Sequence, residues 1–342
     1  MNRLITKFGL VLLLGGAVLS GCSEEEKDLS QIGAASFFKV SVSTSDFTES
    51  SRSVGMAADT IITPLDSGLY METIISNAPV SGTRSHIFNG AVVESGTLLT
   101  IIAYEGKTYR GKMTGTVGAN GSVTLDTPQS PLTLESGKDY IFTCVANAEI
   151  TSDNTGFISQ IGRNSMGGDT NVTIEEGASQ CLVDFKLIHQ NGRLETTITS
   201  DGAGTIGNLS AKLCGTNWPI SFLMTINNGG GWADGGTSYG DADLPLFNGM
   251  SSDSEVTGTT YLCGVDHSVA TNKRIVFTGG TIGDKDMTNT EIPLPDLNAW
   301  YNQRTLVNIK IVRHSVPVIP GTVKEENWST DIIDGGDYDL TL

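Results

Sequence analysis

Positive charge is scarce in this chain of 342 residues. Lysine and arginine together number 21, against 38 aspartates and glutamates, so the formal net charge is −17 at pH 7. A protein that binds nucleic acid needs a basic face to neutralise phosphates, and this composition offers no surplus of base to build one. We therefore expect no nucleic-acid partner.

Residues and motifs that carry chemistry are also few. The four histidines stand apart in the sequence, so no HExxH pair is available for zinc, and no CxxC motif is present. The pattern Gly-x-Ser-x-Gly occurs at residues 236–240. The glycines before it and the Asp-Ala-Asp-Leu-Pro stretch after it do not supply the strand and helix of a nucleophile elbow. We therefore expect no enzymatic activity and no cofactor.

No hydrophobic run near the N-terminus is long enough to cross a membrane. The apolar run from Phe8 to Val18 follows Arg3 and Lys7 and leads to Leu19-Ser20-Gly21-Cys22. This is a secretory signal in which a cysteine replaces the usual small residue at the cleavage site, and it resembles a bacterial lipoprotein signal. It predicts removal of residues 1–21 and acylation of Cys22, with each buried methylene contributing about 0.8 kcal/mol to membrane anchoring. The alternative is an ordinary signal peptide with a chance cysteine.

An acidic run, Ser23-Glu24-Glu25-Glu26-Lys27-Asp28, follows the cysteine directly. Such a run is typical of a solvated linker, here residues 22–35. It also resembles the surface-export signal of lipoproteins in some Gram-negative anaerobes. We therefore expect the protein on the outer membrane, facing outward.

The composition favours strands and turns. The chain has 41 glycines and only 17% charged residues, and apolar residues alternate with polar ones in many short segments, as in Phe38, Val40 and Val42. We predict an all-β protein of two tandem antiparallel β-sandwiches with Greek-key, transthyretin-like topology, spanning 36–176 and 177–342. Cys181 to Leu187 and Leu194 to Ile198, separated by Asn191-Gly192, are predicted to form a hairpin. A short helix is predicted from Asp296 to Asn302.

A Gly/Asp-rich segment from Asn227 to Gly249 is predicted to be a long loop, which in a compact β domain is commonly functional. Asp234, Asp241 and Asp243 in it offer oxygen ligands for calcium, although their spacing is not that of an EF-hand, and solvated loop aspartates are the favoured interpretation. We predict no metal site, with these aspartates as the weak candidates.

Four cysteines remain besides Cys22, namely Cys144, Cys181, Cys214 and Cys263. An oxidising compartment permits disulfides, and one bond per domain would join Cys144 to Cys181 and Cys214 to Cys263. All four lie in apolar strand patterns, where a free thiol also packs as a small hydrophobe. Free thiols are the favoured interpretation.

The order of several weak motifs resembles the fimbrillin family of lipoprotein-derived pilins. After the lipoprotein cysteine and a Ser/Thr-rich first strand, the motif of an aromatic residue, a histidine, a small residue, a basic residue and an aliphatic residue is matched by Phe185, His189, Gly192, Arg193 and Leu194. Trp328 and the glycine-rich Asp334 to Asp337 resemble the closing segment of many members. The resemblance covers the whole mature chain.

The resemblance implies assembly rather than catalysis. An arginine-specific protease would cut shaft subunits after the first strand, which removes the lipid and opens a groove for the C-terminal strand of a neighbouring subunit. Arg52, followed by Ser53, is the better candidate for the cut, and Arg84 is the other. The donor strand would carry Tyr338, Leu340 and Leu342.

The implied function is that of a structural subunit of a cell-surface pilus that serves adhesion, with other pilin subunits, the outer membrane through lipid on Cys22 and a surface receptor as partners. The sequence also allows a monomeric surface lipoprotein that binds glycan or host matrix through the 227–249 loop.

Overall fold

The computed structural model describes residues 37–44, 47–49, 60–66, 69–77, 91–126, 132–226, 232–313 and 322–323. These residues form strands almost throughout, which confirms the predicted all-β class. The strands are β1 (Phe38–Thr44), β2 (Thr48–Glu49), β3 (Thr60–Asp66), β4 (Leu69–Asn77), β5 (Ala91–Val92), β6 (Leu98–Glu105), β7 (Thr108–Val117), β8 (Val123–Leu125), β9 (Asp139–Ala146), β10 (Glu149–Ile150), β11 (Gly156–Gln160), β12 (Met166–Thr173), β13 (Cys181–His189), β14 (Asn191–Asp201), β15 (Ile206–Ile226), β16 (Trp232–Ser252), β17 (Glu255–Cys263), β18 (Thr271–Ile282), β19 (Lys285–Asp286), β20 (Glu291–Pro293), β21 (Gln303–Arg313) and β22 (Thr322–Val323). A 3-10 turn, Ala119–Gly121, precedes β8.

The first sheet encloses a hydrophobic core, which we call the first core. Its order is β5-β1-β13-β12-β9-β6-β7-β8. Side chains alternate between the two faces of a strand, so every second residue of a strand points into the same core. Phe38, Phe142 and Phe185 are among the residues buried there. Ser41 of β1 also forms a bridge with Ser122, just before β8, so the two ends of the sheet approach one another.

Two further sheets enclose the second core. One has the order β10-β11-β15-β18-β19, with β16 paired to β15 and β20 to β18, and the other has the order β17-β14-β21-β4-β3-β22, with β2 paired to β21. Leu194, Leu213, Ile275 and Val307, from strands of both sheets, are buried together. Within the described residues, no helix has the length and apolarity of a membrane span.

The chain passes between the two cores more than once. β13 belongs to the first sheet although it follows residue 177, and β3 and β4 pair in the sheet of β21 although they precede it. The predicted hairpin of β13 and β14 is wrong: β13 pairs with β1 and β12, whereas β14 pairs with β17 and β21. Local alternation could not show that the chain changes sheets at Gln190. The division into domains at residue 177 stays a prediction.

The sheets are also not purely antiparallel as predicted. β1 runs parallel to β13, β14 runs parallel to β21, and β2 also runs parallel to β21. These parallel pairs join segments far apart in the sequence, which short turns cannot connect.

The segment predicted as a long loop is a strand over most of its length. β16 pairs with β15 in antiparallel register from Ile226 opposite Trp232 to Ile206 opposite Ser252, with several bulges. Glycine and aspartate disfavour strands locally, and the pairing with apolar β15 overrides that preference. The predicted helix from Asp296 to Asn302 is also wrong, since this segment contains only turns and irregular backbone. Trp300 and Tyr301 there are 41% and 61% exposed.

Candidate functional site

The first strand has one long partner. Residues 38–44 of β1 lie opposite residues 181–187 of β13, in parallel register from Phe38 opposite Cys181 to Thr44 opposite Leu187. On its other edge, among the described residues, β1 pairs with β5 at Ser43 and Thr44 and bridges to Ser122. We call the surface that receives β1 the β1 seat; it consists of β13, β5 and the 3-10 turn before β8.

β13 depends on β1 in turn. β13 pairs with β12 only at its last two residues, where Ile188 lies opposite Gly167 and His189 lies opposite Met166. Among the described strands, therefore, β1 alone supplies a ladder for residues 181–187 of β13. Removal of β1 would leave the inward residues of β13 uncovered at that edge.

The inner face of β1 is apolar and buried. Phe37, Phe38, Val40 and Val42 are 2%, 6%, 6% and 4% exposed. The rings of Phe37 and Phe38 meet edge to face with centroids 4.9 Å apart, and Phe38 lies 5.5 Å from the ring of Phe142 on β9. Such aromatic pairs contribute beyond their buried area. β1 thus contributes alternate side chains to the first core.

The outer face of β1 is polar. The Ser41 hydroxyl donates to the Asp184 carboxylate, and the Ser43 hydroxyl donates to the Phe185 carbonyl oxygen at 3.4 Å. Gly121 of the 3-10 turn closes over β1, because an added Cβ there would lie 2.2 Å from the Val42 carbonyl oxygen. These contacts fix the register of β1 in its seat.

His189 closes the far end of the β1 seat. It is 5% exposed, its Nδ1 lies 2.7 Å from Asn164 Oδ1, and its Nε2 lies 3.4 Å from Thr44 Oγ1. Phe47 stacks on the imidazole with ring centroids 3.8 Å apart and planes 17° apart. In the sequence this histidine stands apart from the other three, which gave no sign of its burial. The buried alternation of Cys181, Val183, Phe185 and Leu187 continues to residue 189, and that signal could have placed it inside.

A second buried histidine lies in the second core. His267 is fully buried, with Nδ1 3.1 Å from Asn298 Oδ1 and its ring edge-on to Trp218 at 5.5 Å between centroids. Burial lowers the pKa of His267 to about 4. The imidazole is therefore neutral at physiological pH, and its role is structural.

The residues predicted for lipidation, processing and strand donation lie outside the described residues. These are Cys22, Arg52, Ser53, Tyr338, Leu340 and Leu342. The described chain reaches Glu49 of β2, opposite Arg304 at the start of β21, and resumes at Thr60. Arg52 therefore belongs to the stretch between β2 and β3.

The structure does not assemble the weak calcium candidates. Asp234 and Asp243 are nine residues apart on β16, which is about 30 Å along an extended strand. Asp234 accepts a hydrogen bond from the Gly236 amide, and Asp243 pairs with Lys212 at 2.8 Å. Asp241 lies on the same strand. In the described part of the chain, no group of three or more potential ligands could hold a metal ion.

All four described cysteines are free and buried. This agrees with the favoured interpretation and not with the pairs Cys144–Cys181 and Cys214–Cys263. Burial raises the pKa of Cys144, and it raises that of Cys263 to about 12. These thiols therefore pack as small apolar groups rather than as nucleophiles.

The chain is similar to proteins of known structure in its fold. No family model and no curated protein sequence matches the chain. A candidate cell adhesion protein of Bacteroides fragilis matches with a TM-score of 0.51 at 13% identity, over 86% of this chain and 100% of the other. A fimbrial assembly protein of Parabacteroides distasonis has a TM-score of 0.38 at 15% identity, over 63% and 83%. The fimbrial anchor protein of Porphyromonas gingivalis has a TM-score of 0.28 at 11% identity, over 75% and 82%.

The first of these matches shows that the chain shares its fold with the Bacteroides protein. The fimbrillin-like resemblance drawn from the sequence is confirmed at that level, the level of the fold.

Proposed function

We propose that this chain is a structural subunit of a cell-surface fimbria that serves adhesion and assembles by exchange of its first strand for a strand of a neighbouring subunit. The observation that carries the proposal is the β1 seat. A single short strand, β1, covers an edge of β13 that no other described strand pairs along 181–187. Main-chain hydrogen bonds and alternate apolar pockets are the two requirements of β-strand addition.

The position of Arg52 suits the removal of that strand. A cut there would release β1 and β2 and leave β3 and β4 in place. A cut after Arg84 would also release β4, which pairs with nine residues of β21 from Thr305 to Arg313. It would take the buried Leu69, Tyr70 and Met71 out of the second half. Arg52 is therefore the proposed processing site, with Ser53 as the new N-terminus.

The C-terminal segment has the sequence pattern of a substitute for β1. Tyr338-Asp339-Leu340-Thr341-Leu342 repeats the order of Phe38-Lys39-Val40-Ser41-Val42: aromatic, charged, aliphatic, hydroxyl, aliphatic. In the same register, Tyr338, Leu340 and Leu342 of a neighbouring subunit would take the places of the three buried side chains. The partners in this proposal are other copies or accessory subunits.

The proposed route begins with export as a lipoprotein acylated on Cys22 and attached to the outer membrane. The proposed role is that of a building unit, so it requires neither catalysis nor a cofactor.

Mass spectrometry of the protein from its native cell surface tests the proposal. The expected mature N-terminus is Ser53 without lipid in polymerised material. Arg52→Lys keeps the charge but removes the arginine, so it should block both processing and polymer, whereas the matched variant Arg84→Lys should affect neither. A fully acylated Cys22 with no cleaved form, in cells that carry the polymer, would contradict the proposed exchange.

A further inference from the structure

The contacts of His189 join a removable part of the chain to a fixed one. Thr44 and Phe47 precede Arg52, so they would leave with β1 after a cut there. Asn164 lies between β11 and β12 and would stay. The His189 imidazole contacts all three, through Nε2, through its face and through Nδ1 respectively.

The fixed side sets the orientation of the ring. Asn164 Oδ1 can only accept, so the imidazole Nδ1 donates to it across 2.7 Å. In the neutral ring Nε2 then accepts from the Thr44 hydroxyl, which lies 3.4 Å away. Asn164 is itself held in place, since its backbone carbonyl oxygen accepts a hydrogen bond from the Asn147 side-chain amide at 3.1 Å.

The stack lies between the proposed cut and the apolar part of β1. A strand leaves its sheet by fraying from a free end, and the cut would create a free end at Arg52. From that end, Phe47 is reached before Thr44, and Thr44 is reached before Val42. The ring of Phe47 also approaches Tyr261 of the second half, with centroids 6.1 Å apart.

We propose that His189, oriented by Asn164, is the latch that retains β1 in its seat after the chain has been cut, by stacking on Phe47 and binding Thr44. The inference rests on the proposed strand exchange and adds to it the residue that sets how fast the resident strand can leave. A five-residue donor patterned on Phe38 to Val42 would not make this contact, so the latch is specific to the resident strand.

The experiment uses the intact mature chain carrying a fluorophore before β1, cut by an arginine-specific protease, with release of the fragment followed in time. Phe47→Ala is expected to speed release by about 2- to 13-fold through the lost stack, and further through lost contact area. Phe47→Tyr keeps the ring and should match the unmodified chain. Phe47→Leu keeps apolar area without a stacked ring, so it should speed release only by the 2- to 13-fold that the lost stack accounts for.

A double-mutant cycle separates a latch from general loosening. The effect of His189→Ala together with Phe47→Ala should fall short of the product of the two single effects, because either change removes the stack and only the Thr44 contact remains for the second to remove. Val40→Ala is the matched control: Val40 lies opposite Val183, six residues before His189, so its effect should multiply with that of His189→Ala. Independent, multiplying effects of Phe47 and His189 would overturn the proposal.

Hydrogen exchange of the uncut chain provides the second readout, which does not depend on cutting or exchange. Phe47→Ala should lower the protection of the β1 amides at Val42 and Thr44 and leave Phe38 nearly unchanged. Unchanged protection at Val42 and Thr44 would refute the latch. If protection changes as expected but the cut fragment never leaves, even with an excess of a second copy, the proposed exchange fails and the latch stands.

Discussion

Removal of β1 should take away most of the stability of the chain. Four apolar side chains leave the first core with it: Phe37, Phe38, Val40 and Val42, all nearly fully buried. At about 1.5–3 kcal/mol each, their burial contributes about 6–12 kcal/mol. Compact unfolded chains reduce such values by about 10–40%. The remainder is comparable to the whole free energy of unfolding of a typical domain, about 5–15 kcal/mol.

The assay compares urea unfolding of the mature chain with that of a chain beginning at Ser53, with and without a synthetic peptide of residues 36–47. The shortened chain should unfold at much lower urea, and the peptide should restore its stability in proportion to the logarithm of peptide concentration. A peptide with Val40→Asp should not, because its carboxylate would enter the apolar core unpaired.

The reasoning would be refuted if the chain beginning at Ser53 unfolded at the same urea concentration as the mature chain and the peptide made no difference. The burial of β1 would then contribute nothing measurable to the free energy of unfolding.

Two further predictions concern single residues. The pKa of His267 in the folded state, about 4, lies below its ordinary value of about 6.5, so the unfolded chain binds the proton first. The stabilisation is complete above about pH 6.5 and falls by about 3 kcal/mol on acidification to pH 4. His267→Gln should flatten this dependence in urea titrations, and parallel curves for the two proteins would contradict the burial argument. Gly121→Ala should cost more than Gly177→Ala: both glycines have positive φ, +75° and +71°, but only Gly121 has the Val42 carbonyl oxygen at 2.2 Å from an added Cβ. The control should cost about 1–2 kcal/mol from backbone strain alone, and equal unfolding midpoints for the two variants would contradict the close approach.

The sequence predicted strands well where one face is buried. The alternation of Phe38, Val40 and Val42 specified both the existence of β1 and its inward face, which the burial of that strand confirms. The pairing partner of each strand was harder to predict, because alternation is a property of one strand and pairing is a property of two. β13 and β14 are separated by one residue and yet pair in different sheets.

The segment from Asn227 to Gly249 shows a second limit of local reasoning. Its glycines and aspartates are typical of a loop, but β15 supplies a continuous ladder, and that tertiary contact decides the conformation. For the candidate site, the resemblance drawn from the sequence directed attention to the first strand. It did not identify the stack of Phe47 on His189, because two residues 142 positions apart give no local signal.

The parallel pairing of β1 with β13 has a consequence for the order in which the protein folds. Ser41 and Asp184, which lie opposite one another, are 143 residues apart. Pairing must close a loop of that length, so it forms late compared with neighbouring hairpins such as β6 and β7. During folding, β1 therefore lacks its longest ladder until β13 joins it, and residues 181–187 of β13 lack theirs for the same interval.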